Sequence, residues 1–426
     1  MDPQTPQDNE QEQPAIPHEQ APVEAMPVAP DGGATDEYTP AEWRAGLTER
    51  LRQQEALRDP AVERAILTVP RHRFLPDHPL AEAYADAAIA THWEDGVPVS
   101  SASQPAIVAV MLAQLQLAPG MRVLEIGAGT GYNAALLAEI VGPTGDVTTV
   151  DIDPQITVEA SAHLTAAGYP QVRVVTGDGA HGWSAGAPYD RIELTVGATD
   201  IAPAWFAQLA EGGILTLPLS LGMTDVSVSF RKRDGALISE SCEMCGFMRL
   251  RGQEADDNKV VAIPRYGLLR GERAEQIAVP ITQLLATRPR RHFIIMPPDS
   301  TFLAYLALRS PGFFSLWRDL PERPASASHY DRRPRGRYGV YLEGSDGPSL
   351  AIYAARFPLL LAYGSAVAER LLIIETARWR ERRVLPIEQW RITAHPRPYD
   401  APALAGAMRL TRRHTIYDVQ VGAETF

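Results

Sequence analysis

The residues best placed to do chemistry run Val123-Leu124-Glu125-Ile126-Gly127-Ala128-Gly129-Thr130-Gly131-Tyr132. A short apolar run enters a turn rich in glycine, and a segment with helical spacing leaves it. Glycines at such a turn let the backbone approach a ligand closely and present amide N–H groups at a helix N-terminus. Alone, the pattern fits a nucleotide-type ligand or merely a tight turn. Two carboxylates narrow the choice. Asp151 closes the next strand, about 20 residues beyond the glycines, where a carboxylate can accept both hydroxyls of a ribose. Asp178, in Gly177-Asp178-Gly179, follows the strand after that, where an acceptor can meet an adenine amino group. Ligands collect at the carboxyl edge of such a sheet, so the three features together point to an adenosine-containing ligand. The spacing Gly127-x-Gly129-x-Gly131 lacks the two-residue gap before the third glycine of the NAD fingerprint and favours S-adenosylmethionine.

Those residues need alternating strands and helices to carry them. Helical spacing predicts helices over Pro40–Leu57, Pro60–Leu67 and Ser103–Leu117. From Arg122 strand and helix alternate: strands at Arg122–Ile126, Asp146–Val150, Val172–Val175, Asp190–Val196 and Gly213–Leu219, helices at Gly131–Val141, Gln155–Ala167 and Ala202–Ala210. Buried strands separated by helices of this length specify a mostly parallel, doubly wound sheet. Asp225–Lys232 and Met248–Arg251 are expected to close it as antiparallel strands. Beyond Gly252 the pattern changes: residues 253–426 hold strand-like runs (Lys259–Ile263, Phe293–Met296, Arg337–Leu342, Leu350–Tyr353) and helix-like runs (Ala274–Ala286, Thr301–Ala307, Ser365–Ile374). These read as a C-terminal α+β domain. No fixed-period repeat is apparent.

Composition sets the frame. With 426 residues, 45% hydrophobic and 22% charged, the chain is globular and long enough for two domains. Residues 1–38 hold nine acids and no Lys or Arg, so of the net −12 only about −3 belongs to the rest. That Pro-, Gln- and Glu-rich stretch cannot bury a core and is expected to be a disordered tail. Residues 39–252 are the expected cofactor-binding domain and 253–426 an accessory one. No apolar run is long enough for a membrane span, and no secretory signal opens the chain. Two cysteines exclude a disulfide scaffold and suit a reducing cytoplasm. Cys242-x-x-Cys245 has no second pair, so no metal site is expected. The arginine clusters 288–291 and 332–337 are interleaved with Pro and Gly and read as loops, which gives nucleic-acid binding little support.

Beyond these features the chain resembles a family, the protein-L-isoaspartate O-methyltransferases. Val69-Pro70-Arg71-His72-Arg73-Phe74-Leu75-Pro76 looks like the family's opening motif, and Ala83-Tyr84-Ala85-Asp86 like the segment after it. Ser103-Gln104-Pro105 resembles its substrate loop, and Val123–Tyr132 its first cofactor motif. Gly177-Asp178-Gly179 with Gly182-Trp183, and Glu211-Gly212-Gly213 with Leu217-Pro218, resemble later blocks, the likeness ending near Met248-Arg249-Leu250. The resemblance implies a Rossmann-like, class I methyltransferase sheet and methyl transfer from S-adenosylmethionine to an aspartyl-type carboxylate, the ester closing to a succinimide. A carboxylate is already a competent nucleophile, so the enzyme needs positioning and desolvation more than acid–base help. It also implies roles. Glu125, Gly127, Ala128, Gly129, Gly131, Tyr132, Asp151, Asp178 and Gly179 would hold the cofactor. Ser103, with Ser101, would orient the carboxylate, and Ser100, Gln104, Tyr84, Thr195 and Val196 would complete the substrate side. Ser103 also suits a helix N-cap.

Two departures from the family matter. The loop reads Ser100-Ser101-Ala102-Ser103 where Gln-Thr-Ile-Ser is usual, and the stretch before it is longer, carrying His92-Trp93-Glu94-Asp95. Residues 253–426 are additional. In both respects the chain looks like the longer relatives that tailor ribosomally made peptides in lanthipeptide, lasso-peptide or graspetide clusters. That resemblance implies methylation of one Asp in a modified precursor, giving aspartimide or isoaspartate. Trp317, Arg332, Arg333, Trp379, Arg382, Arg383 and Trp390 could then grip the precursor, although core aromatics and snorkelling arginines would look the same. General isoaspartyl repair is the alternative, and a non-catalytic peptide-binding module a third reading. Partners are thus a modified precursor or an isoaspartyl peptide, with no nucleic acid and no membrane; oligomeric state is open.

Overall fold

The computed structural model describes residues 38–221, 224–255, 260–294, 299–310, 312–317, 336–354, 359–381 and 384–422. The chain separates into two units, Met1–Tyr38 and Thr39–Phe426. All elements below belong to the second; the expected tail, apart from Tyr38, lies outside the described residues.

Helix α1 (Pro40–Gln53) starts in a capping box, Thr39 and Glu42 satisfying each other's backbone amides. Helix α2 (Pro60–Thr68) has Asp59 as its cap, and a short α3 (Leu80–Ala83) follows. Strands β1 (Ile89–Glu94) and β2 (Val97–Ala102) then form a hairpin. Its turn is Asp95-Gly96, with φ of +48° and +77°, the left-handed pair that Asp-Gly accommodates in two-residue hairpins. The lengthened substrate segment is therefore this hairpin. Helix α4 (Pro105–Gln114), almost wholly buried, leads into the main sheet.

The sheet's parallel part is β3 (Arg122–Ile126), β4 (Asp146–Asp151), β5 (Arg173–Thr176), β6 (Tyr189–Leu194) and β7 (Leu209–Leu221). Helices α5 (Tyr132–Val141), α6 (Pro154–Ala167) and α7 (Pro203–Gln208) connect them. Strands β8 (Thr224–Arg233) and β9 (Ala236–Cys245) continue the sheet antiparallel to β7. The expected closing strand at Met248–Arg251 is not formed; β9 takes that place. Segment 246–251 instead runs as irregular chain beside Gly197, whose N–H donates to Met248 O at 2.7 Å and whose carbonyl accepts from Leu250 N at 2.9 Å.

A second sheet, antiparallel throughout, comprises β10 (Val260–Ile263), β11 (Gly267–Arg270), β12 (Arg290–Phe293), β13 (Phe313–Trp317), β14 (Arg337–Gly344), β15 (Gly347–Ala354) and β16 (Leu359–Gly364). Helices α8 (Ala274–Leu285), α9 (Ser300–Arg309) and α10 (Val367–Arg380) accompany it. The chain then returns: β17 (Arg391–Pro396), β18 (Met408–Thr411) and β19 (Thr415–Gln420) join the first sheet, in the order β18-β19-β17-β9-β8-β7-β6-β3-β4-β5. Hydrogen bonds therefore cross the expected division at 252/253, and β17 covers a β9 edge that would otherwise be open to strand addition. One hydrophobic core includes Leu124, Leu217 and Phe230 of the first sheet with Phe302, Val340 and Leu372 of the C-terminal elements.

Candidate active site

The site forms where β3 ends. Past Arg122 the strand is fully buried, and at Gly127 φ turns to +103°. A Cβ there would lie 2.6 Å from Thr195 Oγ1 and 3.0 Å from Val196 Cγ1, so conformation and space both demand glycine. At Gly129, φ +50°, a Cβ would stand 3.4 Å from the carbonyl oxygen of Ser101, which places the glycine turn against the end of β2. Asp151 closes β4 beside it: Oδ2 accepts from Gly129 N at 3.3 Å and Oδ1 from Asp153 N at 3.2 Å.

A cleft of about 1070 Å³ opens between these elements. Of the residues expected to hold the cofactor, Gly127, Ala128, Gly129, Tyr132, Asp151 and Gly179 line it. Gly131, Glu125 and Asp178 do not. Gly131 is the N-cap of α5, against Ala160 and Leu164. Asp178 accepts from Ala180 N at 2.9 Å through one oxygen and from Gln253 N at 2.7 Å through the other. It is a cap that ties residue 253 to the sheet edge.

Glu125 lies beneath the turn, wholly buried, beside its register partner Glu193 of β6. Asn133 Nδ2 donates to Glu125 Oε1 and to Glu193 Oε2, each at 2.8 Å. Burial pushes Glu125 up to about 8 and Glu193 up to about 7, so both hold a proton far more readily than an exposed carboxyl. Their place is to support the turn from behind.

Ser100, Ser101, Ser103 and Gln104 line the opposite wall, with Thr195 and Val196 at the floor. Two clamps hold the serine segment. Arg71, fully buried and 4.8 Å over the Tyr132 ring, donates through Nε to Ala83 O and through Nη2 to Ser103 O, both at 2.9 Å. Asp86 accepts from Ala106 N at 2.9 Å, capping α4, and from Gln104 Nε2 at 3.0 Å. Tyr84, expected on the substrate side, stands behind this wall with its hydroxyl 2.8 Å from His72 Nδ1. Its large apolar ring is claimed by the core.

Sequence reasoning left out Arg71 as a wall residue, Asn133 and Glu193 as the support, and Arg249 and Arg251. Both arginines line the cleft from segment 246–251. Arg249 pairs with Asp225 at 2.9 Å. Arg251 reaches Glu94 of the hairpin at 3.1 Å and lies 3.9 Å from Asp151 and 3.7 Å from Asp153, so it links the hairpin to the cleft rim at Asp151. Two arginines two residues apart shortly after β9 were the available signal. His92 holds the hairpin's other flank through Glu159 at 3.1 Å.

Of the proposed gripping residues, Trp390 is core, donating through Nε1 to Leu385 O at 2.9 Å, and Trp317 is half-buried. Arg332, Arg333, Arg382 and Arg383 lie outside the described residues. Cys242 and Cys245 are free thiols, burial pushing Cys242 up to about 12. Among the described residues there is no cluster of three or more His, Cys, Asp or Glu able to hold a metal, and no helix long and apolar enough to cross a membrane.

A glycine turn after the first strand of a doubly wound sheet, an acid closing the second and a walled cleft at the carboxyl edge define a Rossmann-like class I methyltransferase. Residues 42–255, half of the chain, match the family model described as protein-L-isoaspartate(D-aspartate) O-methyltransferase, and the chain belongs to that family of protein carboxyl O-methyltransferases. The protein-L-isoaspartate O-methyltransferase of Methanopyrus kandleri is 37% identical over 216 residues, covering 50% of this chain and 92% of that one. Its namesake from Hyperthermus butylicus is 37% identical over 227 residues, covering 51% and 92%. Protein-L-isoaspartate O-methyltransferase 2 of Archaeoglobus fulgidus is 36% identical over 212 residues, covering 50% and 94%.

Proposed function

We propose that this chain uses S-adenosylmethionine to methylate the free carboxylate of an aspartyl-type residue, L-isoaspartyl in general repair, within a polypeptide in the reducing cytoplasm. The observation that carries the reading is the convergence at Gly129: its N–H donates to Asp151, and it faces the Ser101 carbonyl so nearly that a Cβ would stand 3.4 Å from that oxygen, which brings the glycine turn, the acid and the serine segment together. The residues fit the cofactor. Gly127 and Gly129 leave a cradle that any Cβ would fill, Asp151 offers a carboxylate acceptor for two hydroxyls, and Gly179 with Ile152 lines the space beside it. S-adenosylmethionine supplies an electrophilic methyl group when bound.

The chain's own residues do the remainder. Ser100–Gln104 form a polar wall facing the glycine turn, suited to orienting a carboxylate through the hydroxyls of Ser101 and Ser103. Arg71 and Asp86 hold that wall rigid, so little order has to be imposed during reaction. The β2 end of the hairpin and segment 246–251 line two sides of the cleft, and the Glu94–Arg251 pair ties them together; water displaced from between them by a bound substrate would strengthen a carboxylate as nucleophile. No base is required because the nucleophile carries no proton at neutral pH.

One observation favours a second, narrower reading, methylation of a single Asp in a modified ribosomal peptide. The β1–β2 hairpin leaves Trp93 and Val97 about 60% exposed beside the serine wall, as a surface for one preferred substrate would. Transfer of a labelled methyl group to an isoaspartyl peptide and to a cyclised precursor, run side by side, tests both. Label in a base-labile ester on the isoaspartyl peptide supports repair. Label on the cyclised peptide alone supports the narrower reading, and label on neither refutes both.

A further inference from the structure

Two segments that line the methyl-transfer cleft lead to a single turn of the C-terminal elements. The floor residues Thr195 and Val196 run on to Asp200, and the rim segment 246–251 runs on to Glu254. Both acids meet the turn from β18 into β19. Asp200 is 8% exposed. Its Oδ2 accepts from His414 N at 2.6 Å, and its Oδ1 from the Tyr417 hydroxyl at 3.1 Å and Ile201 N at 2.9 Å. Glu254 Oε1 lies 2.9 Å from His414 Nε2 and 3.6 Å from Arg413 Nη1. His414 therefore holds floor and rim at once, the floor through its backbone and the rim through its ring. Both side chains of the His414–Glu254 pair are mostly buried, so water screens it less than a surface pair.

The ties continue inward from Glu254. Gln253 N donates to Asp178, a Cβ on Gly252 would stand 2.5 Å from Asp178 Oδ2, and Arg251 approaches Asp151. Segment 246–255 belongs to none of the helices or strands. Its place rests on these ties, on the bonds to Gly197 and on the burial of Phe247 and Leu250. A cleft whose walls are fixed beforehand loses less binding free energy to ordering them.

We propose that the β18–β19 turn is a clasp that pre-forms the methyl-transfer cleft, with His414 as the positioning residue acting through Asp200 and Glu254. No residue of 412–417 lines the cleft, so the C-terminal elements act on it at one remove. What the clasped cleft does rests on the methyltransferase reading above.

The test follows amide hydrogen exchange of segment 246–254 in the full chain, S-adenosylhomocysteine affinity by calorimetry, and kcat and KM on an isoaspartyl peptide. Glu254→Ala should speed exchange in that segment about tenfold while amides of β3 stay protected. It should weaken S-adenosylhomocysteine about fivefold and raise peptide KM, with kcat held within about twofold, because the loss falls on ordering before reaction. His414→Ala keeps the backbone bond to Asp200 and should do the same, whereas Glu254→Gln keeps an acceptor for the ring and should restore most of the loss. Glu272→Ala, which cuts the Arg412 pair at the same turn, should match wild type throughout. Faster rim exchange and weaker cofactor binding without methyl transfer in any protein would uphold the clasp and sink only the activity. Unchanged exchange or unchanged affinity in Glu254→Ala, or an equal change in β3 or in Glu272→Ala, overturns the proposal.

Discussion

Replacing Glu193 with Gln should stabilise the protein above neutral pH and change little below pH 4.5. Glu193 is buried opposite Glu125 and accepts from Asn133 Nδ2 at 2.8 Å, a bond that Gln can keep through its own oxygen. Burial moves its carboxyl from an ordinary 4.5 to about 7, which corresponds to about 3 kcal/mol of preference for the protonated form. Because the folded value is raised, this stability is complete below pH 4.5, falls as the unfolded chain ionises and the fold does not, and is gone once the pH passes about 7. Gln cannot ionise and escapes the loss. Urea unfolding of both proteins below pH 4.5 and again above pH 7 gives the two free energies. Their difference should grow by about 3 kcal/mol across that interval in favour of the variant. Parallel pH dependences would refute the assignment of Glu193 as a buried proton holder.

Three further outcomes follow from the same geometry. Gly127→Ala puts a Cβ 2.6 Å from Thr195 Oγ1 at φ +103°, so S-adenosylhomocysteine affinity by calorimetry should fall by about tenfold or more while the far-ultraviolet circular dichroism stays native. Arg251→Ala cuts the hairpin from the rim; cofactor release, followed by stopped-flow fluorescence, should quicken several-fold, with a smaller effect at high salt because the pairs are partly exposed. Ser103→Ala should lower kcat with cofactor affinity unchanged, since the clamp from Arg71 acts on the Ser103 carbonyl and survives; full activity would mean that the serine wall is not the carboxylate's seat.

Much of the site could be read from the chain because its parts sit on local patterns. The strand Arg122–Ile126 was located to the residue, and the glycines after it have the positive φ values their spacing implies. What escaped depends on long-range pairing. Ala236–Cys245, rich in Ser and Glu, carries no clear alternation, yet it is the strand that β17 seals. Phe313–Trp317, apolar but for Ser315, and the apolar run Leu359–Gly364 are short stretches where periodicity cannot separate strand from buried helix. The hairpin had a legible mark, Asp95-Gly96, read only as added length. Tyr84 shows the opposite limit: an aromatic residue in the right block whose ring is buried in the core and whose hydroxyl meets His72.

The most direct test is tandem mass spectrometry of an isoaspartyl peptide incubated with the full chain and S-adenosylmethionine, run beside the Gly127→Ala variant. The account predicts a gain of one methylene located on the isoaspartyl carboxylate, decaying to a succinimide with loss of methanol, and little or none with the variant. A methyl group on any other atom, or equal methylation by the variant, would contradict it.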